Sequence, residues 1–189
     1  PNQYFGNDVI GELARGEVFV DAGVCHGEEI DRAVHGGGIF VHGFEPDAEN
    51  YAYLLKKYEG RQEVCIHPCA LWDREERLVF ESNAATPSAS RLAAGEAADA
   101  QGIAARPLDN VLQGAPCTLL KMDIEGAEYR ALLGAAKTIE EHRPKLAICV
   151  YHSLEDYVRI PELLMERYPF YRFFLRQHSA TSGETVLYA

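Results

Sequence analysis

The sequence is short of positive charge. It holds 18 Lys and Arg against 29 Asp and Glu, for a net charge of −11. Partners rich in phosphate are bound chiefly through Lys and Arg, so the balance argues against a DNA or RNA partner. Long apolar runs are also missing. No stretch approaches the roughly 18 residues needed to span a bilayer, and no signal-peptide pattern is visible. The expectation is a cytoplasmic protein with no membrane or nucleic-acid partner. The five cysteines are Cys25, Cys65, Cys69, Cys117 and Cys149, an odd number without a Cys-x-x-Cys pair. That argues against a disulfide or zinc framework and fits free thiols in a reducing compartment. A starting Met is absent too: the chain begins at Pro1, as a piece of a longer protein would. At 189 residues it fits one domain over 1–189 with a sizeable core.

Also absent is Gly-x-Gly-x-x-Gly, the turn that seats a pyrophosphate in dinucleotide folds. In its place Val18-Phe19-Val20-Asp21-Ala22-Gly23-Val24-Cys25-His26-Gly27 carries Gly-x-x-x-Gly after a short apolar run. A second apolar run ends Phe44-Glu45-Pro46-Asp47, and Glu45 lies 22 residues after Gly23. In a doubly wound fold that spacing sets a carboxylate at the tip of the second strand, beside the first glycine turn. Such a carboxylate can accept both hydroxyl protons of a ribose. The pattern suits S-adenosylmethionine, which has an amino-acid end and no phosphate. Asp21 could meet its ammonium and backbone N–H groups its carboxylate. An NAD-dependent oxidoreductase is the less favoured alternative.

Elsewhere strand and helix patterns alternate, which predicts an α/β sheet with helices on both faces. Strands are expected at Glu17–Asp21, Ile39–Glu45, Val64–Ala70, Leu78–Glu81, Thr118–Asp123 and Leu146–Tyr151. Helices are expected at Gly27–Val34, after an Asp47 cap with Tyr51, Leu54, Leu55 and Tyr58 on one face, and at Gly126–His142. Ser153 to Asp156 reads as a capping box. Phe170–Leu175 and Glu184–Tyr188 read as a closing antiparallel hairpin. Asn83 to Arg106 is rich in Ala, Ser and Gly, and reads equally as a substrate lid or as an Ala-rich helix over Ser90 to Ala100.

A third motif, Leu119-Leu120-Lys121-Met122-Asp123-Ile124-Glu125-Gly126-Ala127-Glu128, gathers one basic and three acidic residues at a strand end. It resembles the signature of the FkbM-type S-adenosylmethionine-dependent methyltransferases. The resemblance extends over most of the chain, through Ala70-Leu71-Trp72-Asp73, Leu108-Asp109-Asn110-Val111, Lys145 to His152, and Leu175 to Ser179 with Glu184 to Tyr188. Where family members often carry small or amide residues, this turn has Val24-Cys25-His26. The resemblance implies a class I methyltransferase fold, a Rossmann-like doubly wound seven-stranded sheet with a C-terminal antiparallel hairpin. It implies S-adenosylmethionine as cofactor, and methylation of a hydroxyl on a small molecule or sugar. By the same resemblance Asp21, Gly23, Val24, Cys25 and Gly27 surround the methionine end, and Glu45 with Pro46 holds the ribose. Ala70 and Leu71 flank the adenine with Trp72 or Asp73 nearby, and Asp123 lies near the sulfonium.

Methyl transfer to a hydroxyl needs positioning and removal of one proton. Asp123, Glu125 and His152 are the candidate bases. Glu125 and Glu128 could instead bind Lys121 or cap the following helix. Asp123, Glu125, Glu128 and His152 could offer ligands to a divalent ion, but nothing in the sequence fixes their geometry and no metal is expected. A non-catalytic module of a larger glycan-modifying protein is the remaining alternative.

Overall fold

A computed structural model describes residues 3–81, 91–94, 102–180 and 183–189. Its first half runs β1 (Val18–Ala22), α1 (Glu28–Val34), β2 (Phe40–Phe44), α2 (Ala48–Lys57), β3 (Val64–His67), β4 (Ala70–Leu71), β5 (Glu76–Glu81) and β6 (Arg91–Ala94). The second half runs β7 (Ile103–Arg106), α3 (Leu108–Leu112), β8 (Leu119–Met122), α4 (Glu128–Leu133), α5 (Ala136–His142), β9 (Lys145–Cys149), α6 (Asp156–Arg167), β10 (Phe174–Gln177) and β11 (Thr185–Tyr188).

Seven strands form the main sheet in the order β10-β11-β9-β8-β1-β2-β3. The five from β9 to β3 are parallel, and β11 and β10 close the sheet antiparallel. From β1 the chain winds outward through β2 to β3; it then returns to β8 on the other side of β1. The β1/β8 boundary is therefore the switch point, where connections diverge and a crevice opens at the strands' carboxyl ends.

The strands are short and nearly wholly apolar because both faces are covered. On one face Phe19, Val41, Leu119 and Ala147 pack with Ile30 and Val34 of α1 and Leu54 and Tyr58 of α2. On the other, Val20, Leu120, Leu146 and Ile148 pack with Leu108 and Leu112 of α3, Leu132 of α4, Ile139 of α5 and Leu164 of α6. A four-stranded sheet, β4-β7-β5-β6, lies beside the crevice with its own core of Ala70, Trp72, Leu78, Ala105 and Ala127.

Four expectations need correction. The strand expected over Val64–Ala70 is two strands in two sheets, because Pro68 intervenes and the Cys69 amide turns back to the His67 carbonyl. The helix expected over Gly126–His142 breaks at Gly134. A Cβ there would lie 2.0 Å from the Trp72 carbonyl oxygen. The α5 start is capped from outside: Asp109 accepts from the amides of Lys137 and Thr138 at 3.0 and 2.9 Å. Leu55 is exposed, and α2 buries Leu54 and Tyr58 instead. Asp47 does cap α2, accepting from the Glu49 and Asn50 amides. In the stretch expected as a lid or a helix, residues 91–94 are strand and pair with β5. Pairing along β5 overrides the helix preference of alanine. The end of the stretch is strand too, as β7 (Ile103–Arg106), while residues 83–90 and 95–101 lie outside the described residues.

The two turns flanking the switch point touch. Gly23 has φ +84°, and a Cβ on it would stand 1.9 Å from the Asp123 carbonyl oxygen. Both the dihedral and the contact demand glycine. Gly23→Ala is expected to cost about 3 kcal/mol or more, from strain plus overpacking. Urea unfolding of the variant measures this directly.

Candidate active site

The crevice is a cavity of about 360 Å³ at the carboxyl ends of β1, β2 and β8. Ala22, Gly23 and Cys25 come from the first turn, and Phe44, Glu45 and Pro46 from the end of β2. Cys69, Ala70 and Leu71 form an apolar wall, and Asp123, Ile124, Glu125 and Ala127 close the far side. Of the residues expected around a cofactor, Gly23, Cys25, Glu45, Pro46, Ala70, Leu71 and Asp123 line this cavity. Asp21, Val24 and Gly27 do not. Val24 is buried in the core beneath α1 and α2. Gly27 opens α1, with its carbonyl accepting from the Tyr58 hydroxyl at 2.8 Å. Trp72 and Asp73 also stand off the cavity; Asp73 pairs with Arg130.

Asp21 is displaced by strand periodicity. Successive side chains of β1 alternate between faces, so Ala22 faces the cavity and Asp21 faces away. Its carboxylate is 1% exposed and lies 2.8 Å from the Lys121 ammonium on β8. Lys121 also donates to the carbonyls of Ala22 and Gly23 at 3.2 and 2.8 Å. Burial alone would lower Lys121, but the charges of Asp21 and Asp123 outweigh it and keep the ammonium protonated. Lys121 is therefore not the partner of Glu125 or Glu128.

Glu45 is 5% exposed and fixed by two backbone donors. The Cys25 amide donates to one oxygen at 2.8 Å and the Asp47 amide to the other at 2.9 Å. These bonds join the end of β2 to the glycine turn after β1. Burial raises the Glu45 carboxyl, and the two amides oppose the rise.

Asp123, at the end of β8, collects two hydroxyl donors and an ion-pair partner. The Tyr4 hydroxyl donates at 2.7 Å and the Tyr151 hydroxyl at 3.1 Å, and His152 Nε2 lies 3.3 Å away. Burial would raise its carboxyl, but His152, the charge of Lys121 and the Tyr4 bond together hold it well below the ordinary range. Glu128 accepts from the Ile124 amide at 2.8 Å, which closes the turn before α4, and contacts His152 Nδ1 at 2.9 Å. His152 is thus a buried imidazole between two carboxylates. Burial would lower it, but Asp123 and Glu128 drive it up to about 10.

That rise argues against His152 as a proton acceptor. An imidazole that already holds its proton at neutral pH cannot take a second, and His152 does not line the cavity. Asp123, with two hydroxyl donors, a facing imidazole and a depressed pKa, is a weak base. Glu125 differs. Its side chain is 66% exposed at the cavity, and it has φ +56°. Burial of its carboxyl is partial, yet it raises the pKa, with Asp123 and Glu128 adding to the rise and His152 opposing it. Asp123, Glu128 and His152 also offer ligand atoms within 4.8 Å of one another.

Phe44, Ile124 and Ala127 follow from their places in the second and third motifs, but Tyr4, Tyr151 and Cys69 carry no signal of a site in the sequence. Tyr4 reaches Asp123 across 119 residues, a contact only the fold creates.

A seven-stranded, mostly parallel sheet closed by an antiparallel hairpin, with a switch-point crevice, a glycine turn and a strand-end carboxylate, fits the class I, Rossmann-like methyltransferases, whose cofactor is S-adenosylmethionine. The family model for the methyltransferase FkbM domain matches residues 21–179, and the chain belongs to that family. The structure is similar to the methyltransferase FkbM of Methylobacillus flagellatus, with 31% identity and a TM-score of 0.73. The match covers 93% of this chain and 44% of that one, so this chain spans less than half the length of its relative. At the level of fold it is similar to an rRNA methylase from Streptococcus thermophilus, with 14% identity and a TM-score of 0.57, covering 93% of this chain and 86% of that one. It is likewise similar to Aeropyrum pernix fibrillarin solved with S-adenosyl-L-methionine, with 10% identity and a TM-score of 0.59, covering 97% and 70% of the two chains. No curated protein matches. Among the described residues no helix is long and apolar enough to cross a membrane.

The His152 cluster predicts a pH dependence. Its folded pKa lies above the ordinary 6.5, so its contribution is complete below about pH 6.5 and fades as pH rises toward 10. Asp123 acts in the opposite direction and outside this window, losing its contribution only in acid. Urea unfolding from pH 6 to pH 10 is expected to show about 2–4 kcal/mol of lost stability. His152→Gln should flatten that slope.

Proposed function

We propose that residues 1–189 form one catalytic domain that transfers a methyl group from S-adenosylmethionine to a hydroxyl of a small molecule or sugar. The observation that carries this reading is Glu45, a buried carboxylate on the cavity wall tied by hydrogen bond to the turn that bears Gly23. A ribose diol suits such an acceptor pair. The apolar wall of Phe44, Ala70 and Leu71 suits adenine. Gly23 and Cys25 would flank the methionine end, while Asp21, Val24 and Gly27 shape that turn from behind. Bound there, the cofactor supplies an electrophilic methyl group. The protein's part is then to orient the acceptor and accept its proton.

Glu125 is the proton acceptor in this proposal, because it faces the cavity and its pKa is raised. Tyr4 and Tyr151 keep Asp123 oriented, and His152 neutralises Asp123 and Glu128. The net charge of −11 supports an acceptor other than nucleic acid. Five free thiols support a reducing, cytoplasmic setting.

Calorimetric titration with S-adenosylhomocysteine, S-adenosylmethionine and NAD tests the cofactor assignment. Micromolar binding of the first two without NAD is expected, weakened at least about tenfold in Glu45→Ala through the lost ribose bonds. Unchanged affinity in Glu45→Ala would overturn the placement. A turnover screen of sugars and hydroxylated metabolites with labelled methyl donor would then assign the acceptor. In that assay Glu125→Gln should lower kcat about 100-fold or more and leave S-adenosylhomocysteine affinity intact.

A further inference from the structure

A second group of metal-ligating side chains lies outside the cavity, at the β2–β3 edge of the main sheet. The parallel register places His42 opposite Cys65 and Phe44 opposite His67. Because side chains alternate along a strand, these four residues share one face. His42 Nδ1 and His67 Nε2 stand 3.1 Å apart. With Cys65 Sγ they form a set of ligand atoms all within 4.8 Å of one another. None of the three lines the cavity, and none takes part in the proposed methyl transfer.

We propose that His42, Cys65 and His67 form a binding site for a zinc-class ion, with two imidazole nitrogens and one thiolate as ligands and a fourth position open to water. The separation fits. Zinc–nitrogen bonds of about 2.0–2.1 Å at a tetrahedral angle put two ligating nitrogens about 3.3 Å apart. The chemistry fits as well, since imidazole and thiolate together select zinc and its neighbours over magnesium or calcium. A ligand must be unprotonated, so binding of the ion releases protons. Cys65 is exposed, so an ion can enter from solvent.

The position gives the ion a structural consequence. The His67 carbonyl accepts from the Glu45 amide at 3.1 Å and the Cys69 amide at 2.9 Å. The His67 ring stacks on Phe44 with centroids 4.7 Å apart. Phe44, Glu45 and Cys69 all line the cavity. An ion joining His42 to His67 would therefore clamp the carboxyl ends of β2 and β3, from which one cavity wall is built.

The test uses the whole chain, stripped of metal. Titration with Co²⁺ should give a thiolate-to-cobalt charge-transfer band that saturates at one equivalent. The band should vanish in Cys65→Ser and persist in Cys25→Ser, whose thiol lies beside His26. Competition for Zn²⁺ against a chromophoric chelator should show affinity at least about tenfold weaker in Cys65→Ser and in His67→Gln. Cys65 is exposed, so its variant isolates ligation from folding. Absence of the band, its loss in Cys25→Ser, or equal Zn²⁺ affinity in Cys65→Ser would overturn the proposal. Each of those outcomes would leave a plain hydrogen bond between His42 and His67.

Discussion

The buried ion pair between Asp21 and Lys121 underlies the arrangement of the whole site. The two residues are directly opposite one another on adjacent strands at the switch point, and their side chains are 1% and 4% exposed. Removing two charges from water is costly, and their mutual attraction rarely makes such a pair a large net source of stability. What the pair supplies here is position. Lys121 reaches past Asp21 to the carbonyls of Ala22 and Gly23, so the ammonium holds the end of β1 where the glycine turn begins. On its other side that turn rests on the Asp123 carbonyl, and the contact leaves no room for a side chain at position 23.

From Lys121 the charges alternate outward. Asp123 stays ionised beneath the lysine and two tyrosine hydroxyls, His152 stays protonated beside Asp123, and Glu128 balances His152 from the start of α4. A buried network of facing opposite charges is poor at exchanging protons. It suits the task of holding the ends of β8 and β9 beside the cavity. Proton transfer then falls to a group at its margin. In the proposed reaction Glu125 is that group, 3.7 Å from His152.

Much of this was legible in the sequence, for local reasons. The apolar runs ending in Asp21, Glu45 and Asp123 mark strand ends, and the spacing of Gly23 from Glu45 sets two of them side by side. Asp47 announces its helix because a cap acts within three residues. Other features were not legible, because they depend on direction or on distant contacts. Spacing shows that Asp21 ends a strand, but not that it faces away from the cavity while Ala22 faces in. The break at Gly134 comes from Trp72 and Asp109, far off in the chain. The protonation of His152 requires Glu128 and Asp123 to converge on it. His42 and His67 carry no ligand spacing in sequence; only the register of β2 against β3 brings their rings together.

The central claim is that Lys121 shapes the glycine turn after β1, and through it the proposed cofactor site, without lining the cavity. The most direct test is the S-adenosylhomocysteine affinity, by calorimetry, of the double variant Asp21→Leu, Lys121→Met. Replacing both charges with apolar groups of similar size leaves no unpaired ion and is commonly neutral for stability. The turn carbonyls would still lose their donor. The account predicts a folded protein whose affinity falls at least about tenfold. Unchanged affinity in a folded double variant would show that the turn holds its shape without the lysine, and would contradict the account.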